Sequence, residues 1–201
     1  MCQIPINAFR TDSMINEQKI KWLGDEFTSL PKFRRKNNFE SNKASLRFIK
    51  DEVNRLKSML TEKRSPDERY EIYKVLNRSI RRSQDICKDI YSVHYFEDFE
   101  KDQRRVNEHV IPQNLLTDAY LEGHITFELM LGMPLVDLSE ASDQLLASKG
   151  LSKINNNWWH PFRRYKLAGI EENIYTPAGK KINFETFTLQ DHFDIYREIE
   201  L

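Results

Sequence analysis

Between Leu46 and Leu60 the apolar residues fall at Leu46, Ile49, Val53, Leu56 and Leu60, at spacings of 3, 4, 3 and 4. That is the pitch of one helical face, and it predicts an amphipathic helix over Asn42–Glu62. Ser65–Pro66–Asp67 interrupts it. Pro66 suits the first turn of a new helix and Ser65 its cap. A second stripe, Ile72, Leu76, Ile80, Cys87 and Ile90, predicts that this helix runs from Pro66 to Ile90. Two amphipathic helices with so short a connection pair as an antiparallel hairpin. Any fold open to the chain must bury that seam. The outward positions carry Arg55, Lys57, Arg78, Arg81 and Arg82.

Charge is distributed in the same uneven way. The formal net charge is zero, yet residues 1–107 hold 23 Lys+Arg against 17 Asp+Glu, and residues 108–201 hold 8 against 14. Within 32–82 the balance is 16 basic to 7 acidic. A concentrated basic surface releases counterions on meeting phosphates, which makes the hairpin, with Arg81 and Arg82, a natural contact for nucleic acid. Lys and Arg alternating with Glu on solvated helix faces is the open alternative. Residues 1–41, broken by Pro5, Gly24 and Pro31, read as an irregular segment with one short helix around Ile15–Leu23. Three regions follow: 1–41, the hairpin at 42–90, and 91–201.

The texture changes near Tyr91, with more aromatics and shorter elements. Val106–Ile111 and Leu135–Leu138 are expected as strands, and Asn114–Glu122 and Ser139–Ser148 as helices, the last ended by Gly150. Pro161–Ala168 is expected as a helix capped by Gly169. Ile174–Thr176 and Lys181–Phe184 flank a turn at Pro177–Ala178–Gly179–Lys180, as in a hairpin. Leu189–Ile199 closes the chain as a helix. The fold class is therefore α+β and helix-rich.

The chemistry concentrates in Glu108-His109-Val110-Ile111-Pro112-Gln113. Adjacent strand residues point to opposite faces, so Glu108 and His109 share a site only if the strand twists or ends there. Pro112 would enforce an ending. The acidic residue before a histidine, with proline three positions on, resembles the first motif of the HNH (ββα-metal) endonucleases, especially the HNH domain of RNA-guided CRISPR nucleases. The resemblance covers roughly residues 104–150 and implies an HNH-like core. It implies that His109 is the general base and that Glu108 holds a divalent metal, Mg²⁺ or Mn²⁺, with no zinc site expected. It places a second ligand near the start of the helix after the second strand, where Asp143 is the choice, 34 residues beyond His109. By the same resemblance the protein is an endonuclease hydrolysing phosphodiester bonds, in DNA rather than RNA.

Two features depart from the family pattern. Its middle Asn has only Asn114 as a weak counterpart, and the bracing cysteine pairs are missing, since Cys2 and Cys87 are the only cysteines. A bland alternative stays open: Glu108 paired with Arg104 or Arg105, and His109 a buried histidine satisfied by a backbone carbonyl. Arg104, Arg105, Arg163 and Arg164 are the further candidates for steadying phosphate. Trp158 and Trp159 before Pro161 read as a core anchor, with aromatic stacking on bases the alternative. The segment Arg164–Ile170 is similar to an ending in small phage and bacterial HNH-type proteins. His94, His124, His160 and His192 lack metal-ligand spacing, and Cys87 is expected to be packed. No apolar run approaches the ~20 residues of a membrane helix, and the N-terminus lacks a secretory layout. A cytoplasmic protein is expected, in host cytoplasm if a phage encodes it. The rival function is a non-catalytic protein that binds nucleic acid or a protein partner on an HNH-like scaffold.

Overall fold

The first stripe folds as α1 (Phe39–Thr61), with Leu46, Ile49, Val53 and Leu56 buried. The second folds as α2 (Pro66–Cys87), with Ile72, Leu76 and Ile80 buried against it. Ser65 and Glu68 start α2 reciprocally: the Ser65 hydroxyl accepts from the Glu68 amide at 3.3 Å, and the Glu68 carboxylate accepts from the Ser65 amide at 2.8 Å. That is the capping box, which satisfies two amides that the helix itself cannot. The computed structural model describes residues 39–87, 94–98, 104–154 and 157–198. The expected helix at Ile15–Leu23, the stretch beyond Cys87 to Ile90, and the packing of Cys87 lie outside what is described.

Beyond the hairpin the chain runs β1 (His94–Glu97), β2 (Arg105–His109), α3 (Gln113–Glu122), α4 (Phe127–Leu131), β3 (Leu135–Ser139), α5 (Glu140–Ser148), α6 (Arg163–Ala168), β4 (Ile174–Tyr175) and α7 (Leu189–Glu198). The protein is thus mixed α+β, with seven helices among the described residues and one four-stranded sheet ordered β2-β3-β1-β4. β3 pairs antiparallel with β2 and parallel with β1, while β4 runs antiparallel to β1.

Three departures from the sequence expectations have physical causes. β2 leaves the ladder after His109 rather than at Ile111, as Val110 and Ile111 turn wholly into the core ahead of Pro112. The return arm expected at Lys181–Phe184 makes only a bridge, Tyr175 to Lys181. The turn itself forms, with Gly179 at φ 79°, but Asn183 caps the Glu185 and Thr186 amides and bends the arm so that Phe184 enters the core. β1, not expected at all, sits inside the sheet because Tyr95 fills the core between Phe162 and Phe187.

One face of the sheet carries Tyr95, Val136 and Leu138, all fully buried. The opposite face carries Arg105, Asn107 and His109 of β2 with Asp137 of β3 and Phe96 of β1, aligned by the register. Glu97 hooks α5 to the sheet: its carboxylate accepts from the Ser139 amide and the Ser142 hydroxyl, both at 2.6 Å. Buried residues from Leu46 through Phe193 form a single apolar cluster, so the hairpin and the sheet share one core.

Candidate nucleic-acid-facing site

β2, β3 and α5 follow one another as strand, antiparallel strand and helix, and Ser139 caps α5 by accepting from the Ser142 amide. Glu108 and His109 are the last residues of β2. The ladder is unbroken through the His109–Leu135 pair, so the pleat sends their side chains to opposite faces. The turn that could have brought them together starts one residue too late.

On the core side, Glu108 meets Arg164. The Arg164 side chain is 2% exposed, and its guanidinium donates to the Glu108 carboxylate at 2.6 Å. The same guanidinium donates to the carbonyls of Val110 at 3.0 Å, Leu151 at 2.8 Å and His109. One cation therefore ties the end of β2 to the segment after α5. Arg164 was expected to hold phosphate from the surface; it is instead an interior clamp, and that expectation is corrected. Nor does Glu108 pair with Arg104 or Arg105. Burial pushes the Glu108 carboxyl above the usual range, Arg164 opposes this, and the negative charge of Asp143 adds to it. Asp143, half-buried in the first turn of α5, thus lies on the Glu108 side.

His109 lies on the other side. Burial, then the charges of Arg81 and Arg164, pull its pKa down to about 4, so the ring is neutral at pH 7. Its Nε2 is sealed from solvent and has no hydrogen-bond partner. His192 makes the contrast. It is wholly buried, also lowered to about 4 by burial, yet it is hydrogen-bonded at both nitrogens, to the Tyr95 hydroxyl and the Gly132 carbonyl at 2.8 Å each. A carbonyl only accepts, so Nε2 of His192 donates and Nδ1 accepts from Tyr95. The satisfied core histidine proposed for His109 describes His192 instead. A buried polar atom with nothing to bond is uncommon in a folded protein.

A cavity of about 400 Å³ opens beside His109, lined by Asn77, Arg81, Asn107, Glu108, His109, Pro112, Gln113, Asn114, Ser152 and Lys153. Helix α2 forms one wall and is pinned to α3 there: Gln113 donates to the Asn77 carbonyl at 2.6 Å and Thr117 to the Asn77 side chain at 2.8 Å. Arg81 and Lys153, both exposed, supply the cavity's free cations, with no ion pair to either among the described residues. Of the other basic candidates, Arg82 is exposed one position beyond Arg81 but does not line the cavity. Arg104 and Arg105 lie at the far end of β2, and Arg163 is exposed at the start of α6. Asn77, Ser152 and Lys153 escaped the sequence analysis. A usable signal was there, since Pro112 at the start of α3 cannot cap it with a side chain.

Of the residues that the HNH resemblance implies for a metal, Glu108 and Asp143 lie within electrostatic reach of each other. One carboxylate oxygen of Glu108 is held by Arg164, and His109 projects from the opposite face. Among the described residues no group of three or more His, Cys, Asp or Glu is placed to hold an ion. Comparison with protein-family models, with curated proteins and with solved structures returns no match. No described helix is long and apolar enough to cross a membrane.

Proposed function

We propose that the chain hydrolyses phosphodiester bonds of nucleic acid, DNA in the first instance, as a metal-dependent endonuclease of the HNH kind. The observation that carries this is the Glu-His end of β2, in a strand–strand–helix succession, beside a cavity rimmed by Arg81 and Lys153. With its pKa lowered to about 4, the imidazole of His109 is unprotonated at neutrality, the state a general base starts from. In this reaction a water oxygen bonds to phosphorus and its proton passes to the imidazole of His109. The bond from phosphorus to the leaving sugar oxygen breaks, and that oxygen is protonated from solvent. Arg81 and Lys153 neutralise the charge gathering on the phosphoryl oxygens. Mg²⁺ or Mn²⁺, where bound, would supply further charge stabilisation; no step is routed through it here, because Glu108 is committed to Arg164.

That commitment favours a second function, a protein that grips nucleic acid without cutting it. Plasmid DNA incubated with purified protein, in Mg²⁺, Mn²⁺ or EDTA, separates the two. The endonuclease requires nicking that depends on the metal and disappears in His109→Ala. Salt-sensitive retention of DNA with no nicking in any condition assigns the binding function and ends the catalytic one.

A further inference from the structure

The end of β2 and the segment after α5 both line the cavity, the first with His109 and the second with Ser152 and Lys153. Among the described residues no backbone hydrogen bond joins these two walls. The backbone closes α5 with bonds from the Gly150 amide to the Ala147 carbonyl at 3.0 Å and from the Leu151 amide to the Leu146 carbonyl at 2.8 Å. Ser152 and Lys153 follow in neither helix nor strand, and make no backbone–backbone hydrogen bond among the described residues. A stretch without ladder bonds is drawn from the least stable part of a fold. Its place beside His109 must come from side chains.

Two side chains supply it. Arg164 donates to the Leu151 carbonyl at 2.8 Å on one wall, and to the carbonyls of His109 and of Val110, the latter at 3.0 Å, on the other. Asn114, in the first turn of α3, donates to the carbonyl of Lys153 itself at 3.2 Å. Lys153 is therefore bracketed, by one bond two residues before it and by another at its own peptide. Helix α3 is in turn pinned to α2 through Gln113 and Thr117, so the bond from Asn114 also registers Lys153 against the helix that carries Arg81. A planar guanidinium with five donors can meet carbonyls on two segments at once, whereas an ammonium gathers its three donors at one nitrogen. The Glu108 carboxylate, at 2.6 Å, balances the buried charge.

We propose that Arg164 and Asn114 are positioning residues, which together hold the backbone of Lys153 at a fixed spacing from that of His109 so that a cation and an imidazole meet at one phosphoryl group. What Lys153 and His109 do there rests on the hydrolytic proposal; the spacing itself requires neither turnover nor a metal. Arg164 acts from the interior, through the carbonyls on both walls, and Asn114 acts through Lys153. Holding such groups in register matters because a displacement of about 1 Å at a reacting centre can cost about 100-fold in rate.

The test uses the full-length protein with Arg164→Lys, which keeps a charge beside Glu108, and with Asn114→Ala, which keeps the question open should the first variant fail to fold. Amide relaxation by NMR comes first, without DNA or metal. The order parameters of Ser152 and Lys153 should fall in both variants from the rigid range near ~0.85. Unchanged order in either variant, with its melting transition intact, overturns the proposal. DNA retention in EDTA then closes a double-mutant cycle with Lys153→Ala. Asn114→Ala should weaken retention about threefold on its own and not at all when Lys153 is already gone, as for two residues that act as one. The same loss in both backgrounds would mean that Asn114 meets DNA itself or merely loosens the fold, and overturns its positioning role. In plasmid nicking, Asn114→Ala should raise the DNA concentration that gives half the maximal rate. Arg164→Lys should also lower the maximal rate, by about tenfold, because it acts on His109 as well. Loss of order at Lys153 and a non-additive cycle, without nicking by the wild type, would sink the endonuclease and leave the positioning standing; nicking with an additive cycle would do the reverse.

Discussion

The hairpin and the sheet region of this protein are held together in different ways. In α1 and α2 stability comes from a repeated apolar contact: Ile49, Val53, Leu56, Leu76 and Ile80 are each nearly or fully buried along one seam. No single residue there is indispensable, since each contributes one more side chain to the same stripe. In the sheet region the elements are short, and single buried polar residues join pieces distant in sequence. Arg164 ties the end of β2 to residue 151, Glu97 ties β1 to α5, and His192 ties α7 to β1 and the turn before β3. Local periodicity builds the first region; long-range hydrogen bonds assemble the second.

The largest effect should come from breaking a polar tie. Arg164→Ala strands a buried carboxylate at Glu108 and frees three carbonyls, and the loss of one partner of a buried ion pair costs about 3–5 kcal/mol. Chemical denaturation should show a loss larger than that of Leu76→Ala, for which a wholly buried leucine predicts about 2–4 kcal/mol. Were Leu76→Ala the costlier change, the contrast between the two regions would be wrong.

The hairpin was legible in the sequence for the same reason that it is robust. Five apolar residues at helical spacing repeat one message, and a cap such as Ser65 with Glu68 sits next to the element it starts. The strands around Glu108 and Val136 were legible too, within one or two residues. What stayed hidden was the partner of each polar side chain. Nothing local distinguishes Arg164, which is buried, from Arg163, which is exposed; only the packing of Phe162 and Tyr165 on either side turns one inward. Likewise Glu108-His109 reads as a pair, but the register to Val136 and Leu135 separates the two side chains.

Acid should expose the difference next. The described hairpin contains no histidine, whereas His109 and His192 of the sheet region are both lowered to about 4. Between about 4 and the ordinary value near 6.5 the unfolded chain binds protons that the folded chain does not, so stability falls as pH drops through that window. Each histidine should account for about 2–3 kcal/mol. Glu108, raised by burial, works in the opposite sense, so the quantity to compare is the slope. His192→Gln and His109→Gln should each flatten the fall of stability between pH 6.5 and 4, and an unchanged slope in both would remove the histidines as its cause.

A smaller effect belongs to the hairpin. Ser65→Ala removes one half of the capping box and should cost about 1 kcal/mol, with Ser65→Asp restoring most of it. A loss as large as that of Arg164→Ala would mean that the hairpin, too, depends on a single polar tie.

The smallest effect on stability should come from Arg81→Gln, and it sharpens the comparison most because it divides one helix into two roles. Arg81 is exposed and makes no ion pair among the described residues, so its loss should leave stability within about 0.5 kcal/mol. Its charge nevertheless acts on His109 across the cavity, second only to burial in lowering that ring's pKa. The His109 ring should therefore titrate at higher pH in Arg81→Gln, read from its ring-proton shifts, while His192, in which Arg81 has no part, stays where it is. Both histidines moving together would indicate a general loosening of the sheet region. His109 moving alone, with DNA retention weakened at fixed salt, would show that the inner face of α2 builds the fold while its outer face serves the site.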